Sequence, residues 1–323
     1  MKKFFIAGGF LVILLALFII FMSKKPADLT EPLKETPRPI DGGGVIVNPP
    51  VTEIPPQTVS GKEFKNQERV SIEGYTGSAM EPGISKDGNY LLFNDDGSNK
   101  DMYWAERVDD THFTYKGKVG GINTNTVDGT PSFDLDGNVY YTSLADYPST
   151  KKSLYVGKFV NGNISSPSHV SGNVYVGKDR WVSVDPDIAP DGSALYYSEG
   201  LFDRGPPPSI FTVRAARKTG GSFTLDESIT KNINTGGLNY APSISADGKE
   251  IFFTRTSIED GKPVGNGIFV ARRDTVNDTF GQAERISAIG GSFVEAPTIT
   301  LDGKSLYYHK EESGTYVIYR VTR

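Results

Sequence analysis

The stretch PSISADGKEIFF, Pro242 to Phe253, constrains this chain more than any other, because four further versions of it occur. They are PGISKDGNYLLF from Pro82, PSFDLDGNVYY from Pro131, PDIAPDGSALYY from Pro186 and PTITLDGKSLYY from Pro297. Each has a proline, an apolar residue two places on (Ile84, Phe133, Ile188, Ile244 or Ile299), then Asp-Gly and an apolar-aromatic run. Asp-Gly between apolar runs is a hairpin signal, since Gly accepts positive φ and Asp hydrogen-bonds its own turn. The proline fits the first residue of a strand, where no ladder N–H is needed. The run after the turn, such as Ile251-Phe252-Phe253, is apolar on both faces, as a central strand is.

The Asp-Gly pairs begin at 87, 136, 191, 247 and 302, about 49 to 56 residues apart, a period typical of propellers and solenoids. A third strand follows each copy, from Asp101, Ser153, Ser209, Gly267 and Thr315, and a more polar fourth follows in most. Four strands per unit make a propeller blade. The last copy ends at Arg323 without its fourth strand, but FKNQERVS (Phe64–Ser71) matches FGQAERIS (Phe280–Ser287), which closes the fourth copy. The sequence therefore predicts an all-β, five-bladed β-propeller in which Glu68–Ser71 lies beside Tyr316–Arg320, so that the chain ends close the ring without leaving a free edge.

The P-x-I-x-x-D-G pattern with its aromatic pair resembles the TolB-type tandem propeller repeat, a relative of the WD-type repeat, over residues 62–323. The resemblance implies the fold and a binding or scaffold role in the periplasm or at the cell surface. TolB itself has six blades and another domain, so its particular role is not implied.

Three segments follow. Residues 1–25 carry an uncharged apolar run, 4–22, between Lys2-Lys3 and Lys24-Lys25. Such a run spans about 28 Å as a helix, close to a bilayer's hydrocarbon core. With no small-x-small cleavage site and no cysteine to lipidate, it reads as a retained signal-anchor, N-terminus inside. Residues 26–61 are a Pro/Gly-rich linker, and 62–323 hold the repeats. The net charge of −5 argues against a nucleic-acid partner, and the absence of cysteine excludes disulfides and thiolate sites.

No G-x-S-x-G elbow, P-loop or H-E-x-x-H is present, and His112, His169 and His309 lack metal-ligand spacing. No catalytic residue, cofactor or metal is assigned. The Asp of each Asp-Gly reads as a turn former, since catalysis would need it only once. Two segments depart from the plain repeat, Ser171–Val184 and Leu201–Ser209, and loops of that kind tend to carry function. Candidate ligand-binding residues lie just before the repeat prolines, where a propeller's chain enters the channel mouth: Glu81, Asp128, Asp185 and Glu295, with Tyr240 and Trp181. The reading that follows is a membrane-tethered, extracytoplasmic, non-catalytic binding or scaffold module for a protein or cell-envelope glycan. The alternative is a glycoside hydrolase-like enzyme using the mouth carboxylates.

Overall fold

The computed structural model describes residues 63–323 apart from 206, 261 and 292. The expected anchor (1–25, with its span 4–22) and linker (26–61) lie outside the described residues, among which no helix is long and apolar enough to cross a membrane.

Five sheets form the ring, four of four strands and one of five. Blade I contains Met80–Ile84, Tyr90–Asn94, Met102–Arg107 and His112–Lys118; blade II contains Asp128–Phe133, Asn138–Ser143, Leu154–Val160 and Asn163–His169. Blade III contains Trp181–Ile188, Ala194–Leu201, Ile210–Thr219 and Ser222–Leu225; blade IV contains Gly237–Ile244, Glu250–Glu259, Lys262–Arg272 and Glu284–Arg285. Blade V takes Val294–Ile299, Ser305–Glu312 and Thr315–Thr322 from the C-terminal end and Lys65–Arg69 from the N-terminal side. The second strands are buried on both faces, as their unbroken apolar runs require: Leu91, Leu92 and Phe93 have no exposed surface. The core is shared between blades. Phe252, Ile268 and Val270 of blade IV, for instance, pack with Leu306, Tyr308 and Val321 of blade V.

Closure follows the sequence match residue for residue. Glu68 and Arg69 pair with Arg320 and Tyr319, as Glu284 and Arg285 pair with Val270 and Phe269. Val70 N–H donates to Ile318 O at 2.9 Å, and Ile286 N–H to Ile268 O at the same distance. Phe64 meets the edge of Phe252 under the Arg323 guanidinium, as Phe280 meets Tyr196 under Arg273. The expectation fails by one residue. Ser71 leaves blade V, and Ser71–Glu73 pairs in parallel with His112–Thr114 of blade I. The closing segment thus joins the two blades that flank the seam.

The repeat proline does not begin its strand. It sits inside the innermost strand, beside a register shift between Met80 and Gly83 and at the equivalent place in each other blade. A bulge leaves one residue unpaired, so the missing N–H costs the ladder nothing there. Blades are then stitched together by the residue after the proline. Ser132, Asp187 and Ser243 accept the Ile188, Ile244 and Ile299 N–H of the next blade at 3.1, 2.7 and 3.1 Å. Blade I carries Gly83 here because its neighbour comes closer: a Cβ would stand 2.2 Å from the Pro131 carbonyl oxygen. Although blades II and IV carry serine at this place, Gly83→Ser is expected to destabilise by about 1–3 kcal/mol. A melting curve checks this, at about 2–4 °C per kcal/mol for a domain of this size.

Candidate functional site at the hub

The site grows from the bulge. The residue before each proline has a left-handed backbone: φ is 51° at Glu81, 54° at Thr130, 51° at Asp185, 49° at Ala241 and 54° at Ala296. Such a φ is costly for non-glycine residues unless the surroundings impose it. The preceding blade does so, through the side chain that follows its aromatic pair. His309 Nδ1 accepts the Glu81 N–H at 3.1 Å and Asn94 Oδ1 that of Thr130 at 3.2 Å. Hydroxyls of Thr142, Ser198 and Thr254 accept those of Asp185, Ala241 and Ala296 at 3.1, 2.9 and 3.0 Å. The five bulge residues thus ring the channel for a folding reason that needs no particular side chain, as two alanines show.

The repeat is its own control. Carboxylates at Glu81 and Asp185, where alanine or threonine serves elsewhere, are additions to the scaffold. So is an imidazole at His309, where a hydroxyl or amide suffices. Glu295 and Tyr240 enter from one residue earlier. Glu81, Asp185, Glu295 and Tyr240 all line one pocket, together with Lys100. Its walls include Val127, Leu144, Val184, Phe202, Pro208 and Phe211, and it encloses about 680 Å³ with its open mouth included.

Two of the sequence candidates do not line this pocket. Asp128 is buried and turned aside, its Oδ2 accepting both the N–H and the hydroxyl of Thr124 at 2.7 Å. It lies three residues before Pro131, whereas the candidates that reach the pocket lie one or two before their prolines. Trp181 opens the first strand of blade III opposite Leu201, and its carbonyl accepts the Tyr147 hydroxyl at 2.8 Å. The irregular segment Leu201–Ser209 supplies Phe202 and Pro208. It is fastened to the other irregular segment: Phe202 N–H donates to Arg180 O and Arg180 Nη1 to Asp203 O, at 2.9 and 3.0 Å.

The charges on the floor are unequal. Lys100 Nζ pairs with Glu81 Oε1 at 2.9 Å, both side chains buried. Because His309 Nδ1 accepts an N–H, its ring proton belongs on Nε2, which lies 3.2 Å from Glu295 Oε2 without hydrogen-bond geometry. The ring is held edge-on by Tyr316 at 5.4 Å. Oε2 of Glu81 and Oε2 of Glu295 are buried without a hydrogen-bond partner. Asp185 is half-buried beside the channel. Burial, then the Glu81 and Glu295 charges, push its carboxyl up to about 7 against a hydrogen bond with Ser198. Burial and then Glu295 hold the Tyr240 phenol well above its ordinary value. That ring stacks on Phe211 at 4.8 Å and 9°, and Phe202 meets Phe211 edge-on at 6.2 Å. Among the described residues no group of three or more His, Asp or Glu is arranged to hold a metal ion.

Lys100, His309 and Phe211 escaped the sequence reading, and Phe202 entered it only within the irregular segment Leu201–Ser209. Aligning the five copies would have marked His309 as the one titratable residue at its repeat position. Nothing local marks Lys100, which precedes a strand as an exposed lysine would. His309→Asn should keep the Glu81 N–H satisfied, as Asn94 does for Thr130. His309→Ala orphans it and is expected to be less stable than His309→Asn by about 1–3 kcal/mol in paired melts.

The fold and hub define a five-bladed β-propeller with a partly apolar, acid-floored central pocket. No family model and no curated protein matches the sequence. Solved structures do match. Zg3597, a family 117 glycoside hydrolase from Zobellia galactanivorans, is 13% identical over 81% of this chain and 90% of its own, with a TM-score of 0.52. The GH43 endo-arabinanase of Bacillus licheniformis is 16% identical over 78% of this chain and 95% of its own, at 0.50. TolB of Acinetobacter baumannii is 18% identical over 76% of this chain, at 0.43, and this chain spans 55% of it. At these identities the likeness is one of fold.

Proposed function

We propose that the propeller is a non-catalytic binding module that captures a protein partner of the cell envelope in its hub pocket. The segment 4–22 would anchor it and the linker 26–61 would hold it outside the cytoplasm. The observation that carries this reading is the division of the pocket into apolar walls and a charged floor. A pyranose would need hydrogen-bonding groups around its ring. The wall hydroxyls of Thr130 and Thr142 instead bond each other at 2.7 Å. A side chain with a hydrocarbon stem and a polar tip matches both parts.

A photo-crosslinking residue at Ile210, exposed and next in sequence to the pocket residue Phe211, tests the reading in the full-length protein in its native membrane. A discrete protein adduct that disappears when Ala241→Phe fills the pocket is expected. Adducts indifferent to Ala241→Phe, or retention of glycan alone, overturn it. One observation favours a second reading, glycoside hydrolysis. Burial and the Glu81 and Glu295 charges push the Asp185 carboxyl up to about 7, the range an acid catalyst uses. The propeller glycoside hydrolases of similar fold support the same direction. Release of nitrophenol from aryl glycosides, abolished by Asp185→Asn, would establish it.

A further inference from the structure

We propose that the group the hub pocket takes from its partner is a lysine side chain, a primary ammonium on an unbranched hydrocarbon stem. This rests on the reading of the pocket as a protein-binding site. It goes further in naming the chemistry recognised.

Charge decides the tip. Three carboxyl groups face the pocket floor, Glu81, Asp185 and Glu295, and one cation, Lys100, which is engaged with Glu81 Oε1. The other basic group beside the floor is His309, whose Nδ1 accepts the Glu81 N–H and whose Nε2 lies 3.2 Å from Glu295 Oε2. Among the described residues Glu295 faces only the His309 imidazole, and Asp185 has no ion-pair partner. Buried carboxylates without one are costly, and an incoming ammonium offsets that cost. The open contacts at the floor include two acceptors that await a donor. The buried Oε2 atoms of Glu81 and Glu295 have no hydrogen-bond partner, and an ammonium has three N–H groups and no lone pair.

Shape decides the stem. The unsatisfied oxygens are single atoms of two carboxyl groups, a target for a compact ammonium rather than for a planar fork of five donors. The planar guanidinium of arginine is broader than an ammonium. The stacked Phe211 and Tyr240 rings, with Val127, Leu144 and Val184, offer the stem apolar walls but few hydrogen bonds.

The test titrates full-length protein in detergent with Nα-acetyl-lysine methylamide, followed by calorimetry. The norleucine, Nε-acetyl-lysine and arginine analogues are titrated in parallel. Lysine is expected to bind about tenfold or more tighter than each of the others. Asp185→Thr should weaken it about tenfold, since Thr130 shows that threonine fits this backbone. A melting curve confirms that the variant is folded. Norleucine or arginine equal to lysine, no binding of any analogue, or full affinity in folded Asp185→Thr overturns the inference. If the Ile210 adduct still depends on an open pocket in that event, the protein-binding reading stands and only the lysine is lost. If the adduct ignores Ala241→Phe, the reading itself fails.

Discussion

Deleting residues 1–69 is expected to cost the protein its cooperative fold. The deletion strips blade V of Lys65–Arg69 and leaves Thr315–Thr322 as a bare edge. It removes Phe64, only 6% exposed, from its place against Phe252. It also loses the ion pair of Arg320 with Glu68 at 3.1 Å and the hydrogen bond from Gln67 to the Tyr308 hydroxyl at 2.6 Å. Phe64 alone contributes about 1.5–3 kcal/mol of burial, before the cavity it leaves is counted. The interrupted ladder and the ring opened at its seam add to that, against a typical total of about 5–15 kcal/mol. Circular dichroism melts and size-exclusion chromatography should show a broad early transition and self-association through the open edge. Phe64→Ala is the milder version, about 3–5 kcal/mol down. A truncated protein that melts within a degree or two of the intact one would mean that the ring does not depend on its N-terminal strand.

Asp185→Asn is expected to stabilise the protein above neutral pH and to change little in acid. The carboxyl sits up at about 7 in the folded state, raised by burial and then by Glu81 and Glu295, whereas an unfolded aspartate titrates near 4. Between those values the folded state binds the extra proton. The stabilisation that protonation gives is complete below about pH 4 and is lost as pH climbs towards 7. Ionising Asp185 beside the Glu81–Lys100 pair and Glu295 is thus a standing cost at pH 8, and an asparagine does not incur it. The full shift corresponds to about 4 kcal/mol, but the side chain is partly open to channel water, and about 2 kcal/mol is the figure to expect. Melts of both proteins from pH 4 to 8 should diverge as pH rises, with the variant higher by several degrees at pH 8. Curves that stay parallel would mean that Asp185 titrates as an ordinary surface carboxyl. The same variant separates the two functional readings, since it would abolish hydrolysis if the pocket were catalytic.

The repeats made the blades legible because each encodes a local device. Asp-Gly turns are short-range: Asp87 Oδ1 accepts the Asn89 N–H and Asp247 Oδ1 the Lys249 N–H, each at 3.0 Å. The match of FKNQERVS to FGQAERIS fixed the closing register for a similar reason, since paired edges demand the same in-and-out alternation. Four pocket residues were also found, because position before the proline carries them to the mouth. The bulge that turns Glu81 and Asp185 inward was not legible. It depends on an N–H acceptor from another blade, 36 residues away for Thr130, 43 for Asp185, and across the seam for Glu81.

The sequence by itself determined the number of blades, their turns and the strand that seals them, since hydrophobic period and turn chemistry act between near neighbours in the chain. Only the tertiary structure decided which carboxyls meet at the hub, that Lys100 neutralises one of them, and that Asp128 and Trp181 stand apart. Those outcomes depend on distances across the channel between blades, and on how far each side chain is shielded from water. Residue spacing along the chain carries neither quantity.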